Sequence, residues 1–233
     1  MKPNYNKDIF ANLEVKPDQT LSETVYHALR AAIVSGQIPA GERINEKALS
    51  DSAHISRTPI REALHRLADE KFVEIISHAG AVVSRITEQD VEEIFELRIA
   101  LDRIATFHAM QNMTEDQFQT LGNLLKETSS LNDEDNLTEV IKNFGKFNNY
   151  IYECSNMPRL TMIVSGLRDY MQRLRDVSLY EKARRDKALH EHFLIYEGMV
   201  EKNRPVVGQI LTEHLTYAKM YLLSEMEQNS NTL

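Results

Sequence analysis

The fold is decided by Ser56-Arg57-Thr58-Pro59-Ile60-Arg61-Glu62-Ala63-Leu64. Thr58 offers a capping oxygen, and Pro59 forgoes only an N–H that a first helical turn leaves unpaired, so a helix opens here and runs to about Lys71. Ile60, Ala63, Leu64, Leu67 and Ala68 recur at helical spacing and turn inward, leaving Arg57, Arg61 and His65 outside. Upstream, Asn45 caps a short helix from Glu46 to Ala53 that buries Ala48, Leu49 and Ala53, and His54-Ile55 breaks the chain between the two helices. An earlier helix starts with Ser22 as its cap, stripes Val25, Ala28, Leu29, Ala32 and Ile33, and stops at Gly36. Downstream, Val73–Ser77 and Ala81–Ile86 read as strands folded back around His78-Ala79-Gly80. Two short helices with a tight break, the second basic at its start, followed by a hairpin, form the pattern of a winged helix-turn-helix; a small three-helix packing unit with no ligand is the alternative. Such a helix fits the major groove of B-DNA with its first residues at the base edges.

Composition agrees with a mostly helical chain. The 233 residues are 42% apolar and 27% charged, with only eight Gly and six Pro, which leaves little material for the turns of an all-β fold. The single cysteine, Cys154, excludes an intramolecular disulfide framework and a cysteine-based zinc finger, and fits a reducing cytoplasm. No signal-peptide core is evident near the start, and no apolar run approaches the roughly 18 residues of a membrane span, so a cytoplasmic protein without a membrane partner is expected.

Net charge is −8, which argues against bulk affinity for nucleic acid. The excess acid is confined to one half: residues 1–86 carry 11 basic against 11 acidic side chains, and residues 87–233 carry 16 against 24. Between Arg43 and Arg66 five basic residues face three acidic ones, a local positive bias on the candidate DNA-binding stretch. The expected organisation is a flexible arm over 1–20, the winged unit over 21–86, and an all-helical domain over 87–233.

That second domain opens at Thr87 with a capping box closed by Asp90. Successive apolar stripes predict helices to near Asn112, from Thr114, from Leu137 after a polar loop at Asn132–Asn136, from Leu160 to about Tyr180, over 183–202 and over 204–227. Polar residues interrupt the stripes. Arg98 lies between Phe95 and Leu101 with Asp102 one turn on, Asn148 follows Phe144, and His192 and His214 sit on the apolar faces of the last two helices. Buried unpaired, each would cost several kcal/mol. An inward Arg, Asn and two His in a bundle therefore point to a polar cavity for a small anion. Core histidines bonded to carbonyls and a plain Arg98–Asp102 ion pair are the alternative. On the cavity reading, Arg98→Ala abolishes an effector response and spares folding.

The residues also carry a resemblance. Ser35-Gly36-Gln37-Ile38-Pro39, Gly41-Glu42-Arg43-Ile44, Glu46-Lys47-Ala48-Leu49, the Ser56–Leu64 run and Gly80-Ala81 occur in the order seen in the winged helix-turn-helix of the GntR family of bacterial transcription regulators, over about residues 20–86. The sequence departs from that family's pattern at His54 and Lys71, where glycine is usual, and at Ala79, where the wing often has arginine. The resemblance implies DNA contacts at Lys47, Arg57, Thr58, Arg61 and Gly80. His65 and His78, on the recognition helix and at the wing tip, complete the candidate set. Chemically, Arg57 and Arg61 suit guanine or phosphate, and Lys47 and Thr58 suit the backbone.

Residues from Arg98 onward resemble the FCD ligand-binding domain of the FadR-type subgroup, through Arg98-Ile-Ala-Leu-Asp102, Phe147-Asn148, Glu191-His192 and His214-Leu215. The resemblance implies a homodimer and a small carboxylate effector, with Arg98, Asn148, His192 and His214 around it. It also implies a divalent metal such as zinc or nickel. His192 and His214 match two of the family's four ligand positions, while the other two hold Phe144 and Asn148. A weak metal site completed by the effector and a metal-free pocket are both consistent with those residues. The expected function is a DNA-binding transcriptional regulator, not an enzyme. The rivals are a metal-dependent enzyme using His192 and His214 and a non-specific DNA-organising protein.

Overall fold

The computed structural model describes residue 9, residues 19–76 and residues 80–230. They form two compact units that divide between Ile86 and Thr87. The expected arm lies outside the described residues but for Ile9, Gln19 and Thr20.

The first unit runs α1 (Leu21–Val34), β1 (Arg43–Ile44), α2 (Glu46–Ala53), α3 (Arg57–Asp69), β2 (Val73–Ile76) and β3 (Gly80–Val83). The cap of α1 is Thr20 and not Ser22. The Thr20 hydroxyl accepts from the Glu23 amide at 3.2 Å, and the Glu23 carboxylate accepts from the Thr20 amide at 2.8 Å. This reciprocal box satisfies two end amides, where Ser22 would satisfy one. Asn45 caps α2 as expected, its side chain accepting from Lys47 and Ala48. At α3 the expected cap moves back to Ser56, which makes Pro59 the third helical residue. The proline is tolerated there because none of the first four amides of a helix has a helical acceptor.

Val25, Leu29, Ile33, Leu49, Ile60, Leu64 and Leu67 from the three helices close over Phe72, Val73 and Ala81. The sheet has the order β1-β3-β2, both outer strands antiparallel to β3. Sequence reading finds the hairpin but misses β1, whose Ile44 lies opposite Ala81. Two positions where the family prefers glycine take left-handed backbone here, His54 at φ 55° and Lys71 at φ 62°. The preference therefore has a local cause: both residues turn the chain out of a helix. Gly80 also takes a positive φ, +92°, and a Cβ there would stand 2.4 Å from the Ile44 carbonyl oxygen. Gly80→Ala is expected to destabilise the first unit by about 1–3 kcal/mol, read by chemical denaturation.

The second unit is helical: α4 (Glu88–Asn112), α5 (Glu115–Asp133), α6 (Leu137–Cys154), α7 (Pro158–Ser178), α8 (Lys182–Val200) and α9 (Arg204–Ser230). The Thr87–Asp90 box and a Thr114–Gln117 box open the first two. Phe144, Phe147, Ile151, Leu121, Leu125, Val140, Ile195 and Met199 are among the residues of its principal core. The polar loop expected from Asn132 is shorter than that, since Asn132 lies in the last turn of α5, which ends at Asp133, and is 2% exposed. Its carbonyl oxygen Oδ1 accepts from Arg185 Nε at 3.2 Å and its amide donates to Asp186, so a polar residue is held inside by α8.

Candidate nucleic-acid interface and effector cavity

In the first unit, α2, the start of α3 and the wing strands enclose a groove of about 510 Å³. Lys47, Arg57, Arg61, His65 and Gly80 all line it, joined by Arg43, Asn45, Glu46, Ile75 and Ile76. Thr58 is exposed at the start of α3 but does not line the groove. His78 lies outside the described residues. The cations are exposed and so accessible to a polyanion. Arg61 Nη2 lies 2.9 Å from the Glu46 carboxylate on α2, an exposed ion pair that sets the reach of the guanidinium along the groove. Sequence reading missed Glu46 and Arg43. Arg43 belongs to the basic run, but only β1 carries it to the groove rim.

In the second unit, Arg98 (α4), Asn148 (α6), His192 (α8) and His214 (α9) line one cavity with Asp102, Thr106, Tyr152 and apolar Phe147, Ile151, Ile195 and Leu211. Arg98 and Asp102 are 8% and 5% exposed, and Arg98 Nη2 pairs with Asp102 Oδ2 at 3.0 Å. Tyr152 donates its hydroxyl to the other Asp102 oxygen at 2.6 Å. Burial opposes the Arg98 charge, but Asp102 and Tyr152 outweigh it and hold the guanidinium pKa above its ordinary value. The His192 ring stacks on Phe147 at 4.6 Å, meets Phe144 edge-on at 4.7 Å and lies 5.0 Å from the His214 ring.

His214 Nδ1 is 2.6 Å from Glu191 Oε2. Burial raises the Glu191 carboxyl, yet the hydrogen bond and charge of His214, with Arg184 and Lys187, hold it below the usual carboxylate range. Burial pushes the His214 imidazole below its ordinary value against the pull of Glu191. An ionised carboxylate only accepts, so the neutral ring carries its proton on Nδ1 and keeps a lone pair on Nε2. An imidazole that the fold keeps neutral contributes stability above its unfolded pKa of about 6.5, and that contribution is lost as pH falls below it. The melting temperature of the second unit should therefore drop between about pH 7.5 and 5.5, less so in His214→Gln. Equal slopes in both would assign the drop to other groups.

The cavity spans about 310 Å³ of empty space including its mouth, but the room for a water centre is only about 10 Å³. That admits roughly one water. The residues here do not make a tight metal site. The Phe144 ring occupies one of the four matched positions, two imidazoles and one amide remain, and zinc or nickel takes three or four protein ligands. Among the described residues, no group of three His, Cys, Asp or Glu side chains is placed to hold a metal ion.

A winged helix-turn-helix with a cationic groove, followed by a helical unit with a polar internal cavity, defines a DNA-binding transcriptional regulator. Residues 21–83 match the bacterial regulatory proteins of the gntR family, and residues 93–217 match the FCD domain. The chain belongs to the GntR family and carries its FCD domain. It is 28% identical over 204 residues to the HTH-type transcriptional regulator YdhC of Bacillus subtilis, covering 87% of this chain and 91% of that protein. It is 24% identical over 221 residues to the HTH-type transcriptional repressor RspR of Escherichia coli, covering 94% and 96%. Among solved structures, Escherichia coli McbR/YncC shares the fold with a TM-score of 0.72 at 22% identity, over 89% of this chain and 99% of that one. No described helix is long and apolar enough to cross a membrane.

Proposed function

We propose that this regulator acts as a cytoplasmic homodimer on a two-fold operator, and that a small carboxylate bound in the FCD cavity sets its operator affinity. The observation that carries the reading is the convergence of Arg98, Asn148, His192 and His214, from four helices, on one cavity. Buried polar groups are costly unless something uses them. Arg98 and Asn148 supply donors for carboxylate oxygens. His214 supplies a third donor only when Nε2 is protonated, so the bound acid and a proton enter together. No resident metal is needed. The mechanism is linkage: an acid that binds one state of the dimer better shifts the population toward it and changes operator affinity by the same free energy. Dimer symmetry matches two half-sites about one helical turn apart.

A thermal-shift screen of organic acids, followed by operator-binding titrations with each hit, tests this. A di- or tricarboxylate should raise the melting temperature and change the operator midpoint several-fold. Acids that leave both unchanged would remove the effector role. Protein purified without added metal should hold less than about 0.1 zinc or nickel per chain, with or without the acid, where a tight structural site would be filled.

A further inference from the structure

Two consecutive arginines open α8, and both are buried: Arg184 is 4% exposed and Arg185 is 2% exposed. Their surroundings differ. Arg185 donates to Asn132, to the Leu179 and Tyr180 carbonyls and to Asp135, and its charge and edges are satisfied. Arg184 has no such set. Among the described residues neither its Nε nor its Nη1 has a hydrogen-bond partner, although both atoms are shut off from solvent.

The neighbours of Arg184 do not make up the deficit. Its guanidinium carbon lies 5.0 Å from the centre of the Tyr217 ring, which offers the charge a π face but gives the N–H edges no acceptor. Lys187 Nζ sits 3.9 Å from the centre of the same ring and adds a second cation. The anion near them is Glu191, and it is already engaged by His214 at 2.6 Å and Lys187 at 3.8 Å. Two cations thus share one carboxylate that is bonded elsewhere. Burial presses the Arg184 charge toward neutrality, against the pull of Glu191, yet a guanidinium does not lose its proton in proteins. A buried, charged donor pair without acceptors is costly to keep, and one use for it is a ligand that brings the acceptors.

We infer that Arg184 is an anion receptor, its buried Nε–H and Nη1–H placed between α8 and Tyr217 of α9 to donate to carboxylate or phosphate oxygens. A guanidinium keeps its charge and donates to carboxylate or phosphate oxygens from each of its three nitrogens. Arg184 does not line the Arg98 cavity, so this inference stands whether or not that cavity binds the effector.

The test uses the full chain and three probes, citrate, succinate and inorganic phosphate, each against chloride at equal ionic strength. At about 100 times its Kd, a bound anion should raise the melting temperature by about 5–10 °C. The arms separate the sources: citrate or succinate alone marks a carboxylate site, phosphate alone a phosphate site. Arg184→Met should lose the phosphate shift or reduce the carboxylate shift while melting no lower than wild type in chloride, and Arg184→Lys should need at least about tenfold more anion. No response to any probe in wild type overturns the inference, as does an Arg184→Met protein whose shift equals that of wild type for every probe; a carboxylate held in the Arg98 cavity leaves a smaller, residual shift in Arg184→Met. If Arg184→Met does not fold, Arg184→Lys decides, and an unchanged midpoint concentration overturns it.

Discussion

Arg98→Met should lower the stability of the second unit by about 3–5 kcal/mol. Sequence reading expects removal of this arginine to spare folding, and the structure corrects that. Arg98 is the cationic half of a buried pair, and its loss leaves the Asp102 carboxylate inside the bundle with Tyr152 as its hydrogen-bond donor. The cost is that of an uncompensated buried charge and not the net worth of the pair. A double variant, Arg98→Met with Asp102→Leu, should therefore recover most of the loss. Urea unfolding of the two variants measures it. A single variant as stable as wild type would show that Asp102 takes up a proton or meets water when its partner leaves. Effector response is best read in the double variant, where folding and recognition separate.

Arg61→Ala should weaken operator binding by about 5- to 150-fold, the range for a lost base or phosphate contact. The side chain lines the groove beside Lys47 and Arg57, and its neighbour Glu46 is on the first turn of α2. That exposed ion pair is weak and screened by salt, so DNA oxygens can replace the carboxylate at small cost. Glu46→Gln should raise affinity modestly and reduce discrimination, because it removes both a competitor for Arg61 and a negative charge facing phosphate. Fluorescence anisotropy on operator and random duplex, at a stated salt concentration, reads both. An Arg61→Ala protein with wild-type affinity would take Arg61 off the contact surface.

The first unit was legible because its signals are local. Asn45 precedes the helix it caps, Pro59 and Gly80 mark their own turns, and the basic residues fall within one short stretch. The Thr20–Glu23 box was equally local, but Ser22 offers the same hydroxyl two residues on, and only the backbone path decides between them. What escaped depends on distant pairing. The two residues of β1 show no alternation, and their place is fixed by Val82 and Ala81. In the second unit the stripes put Arg98, Asn148, His192 and His214 inward. They did not show that Glu191 orients His214 from 23 positions away, or that Tyr152 reaches Asp102 across 50. Rotation of one helix against another has no signature in either helix alone. Arg184 and Arg185 make the same point: neighbours of one residue type, one enclosed by acceptors and the other not.

The interior space beside Arg98 has room for about one water. On the proposed reading an organic acid must wait for the helices to part, so the speed of response would be set by how often the bundle opens and not by how often a molecule collides with it. Association should be far slower than diffusion and should saturate at high concentration. The measured Kd then carries the rarity of the open form as a multiplier, and a substitution that props the bundle ajar, such as Ile195→Ala, would sharpen sensing while softening the fold.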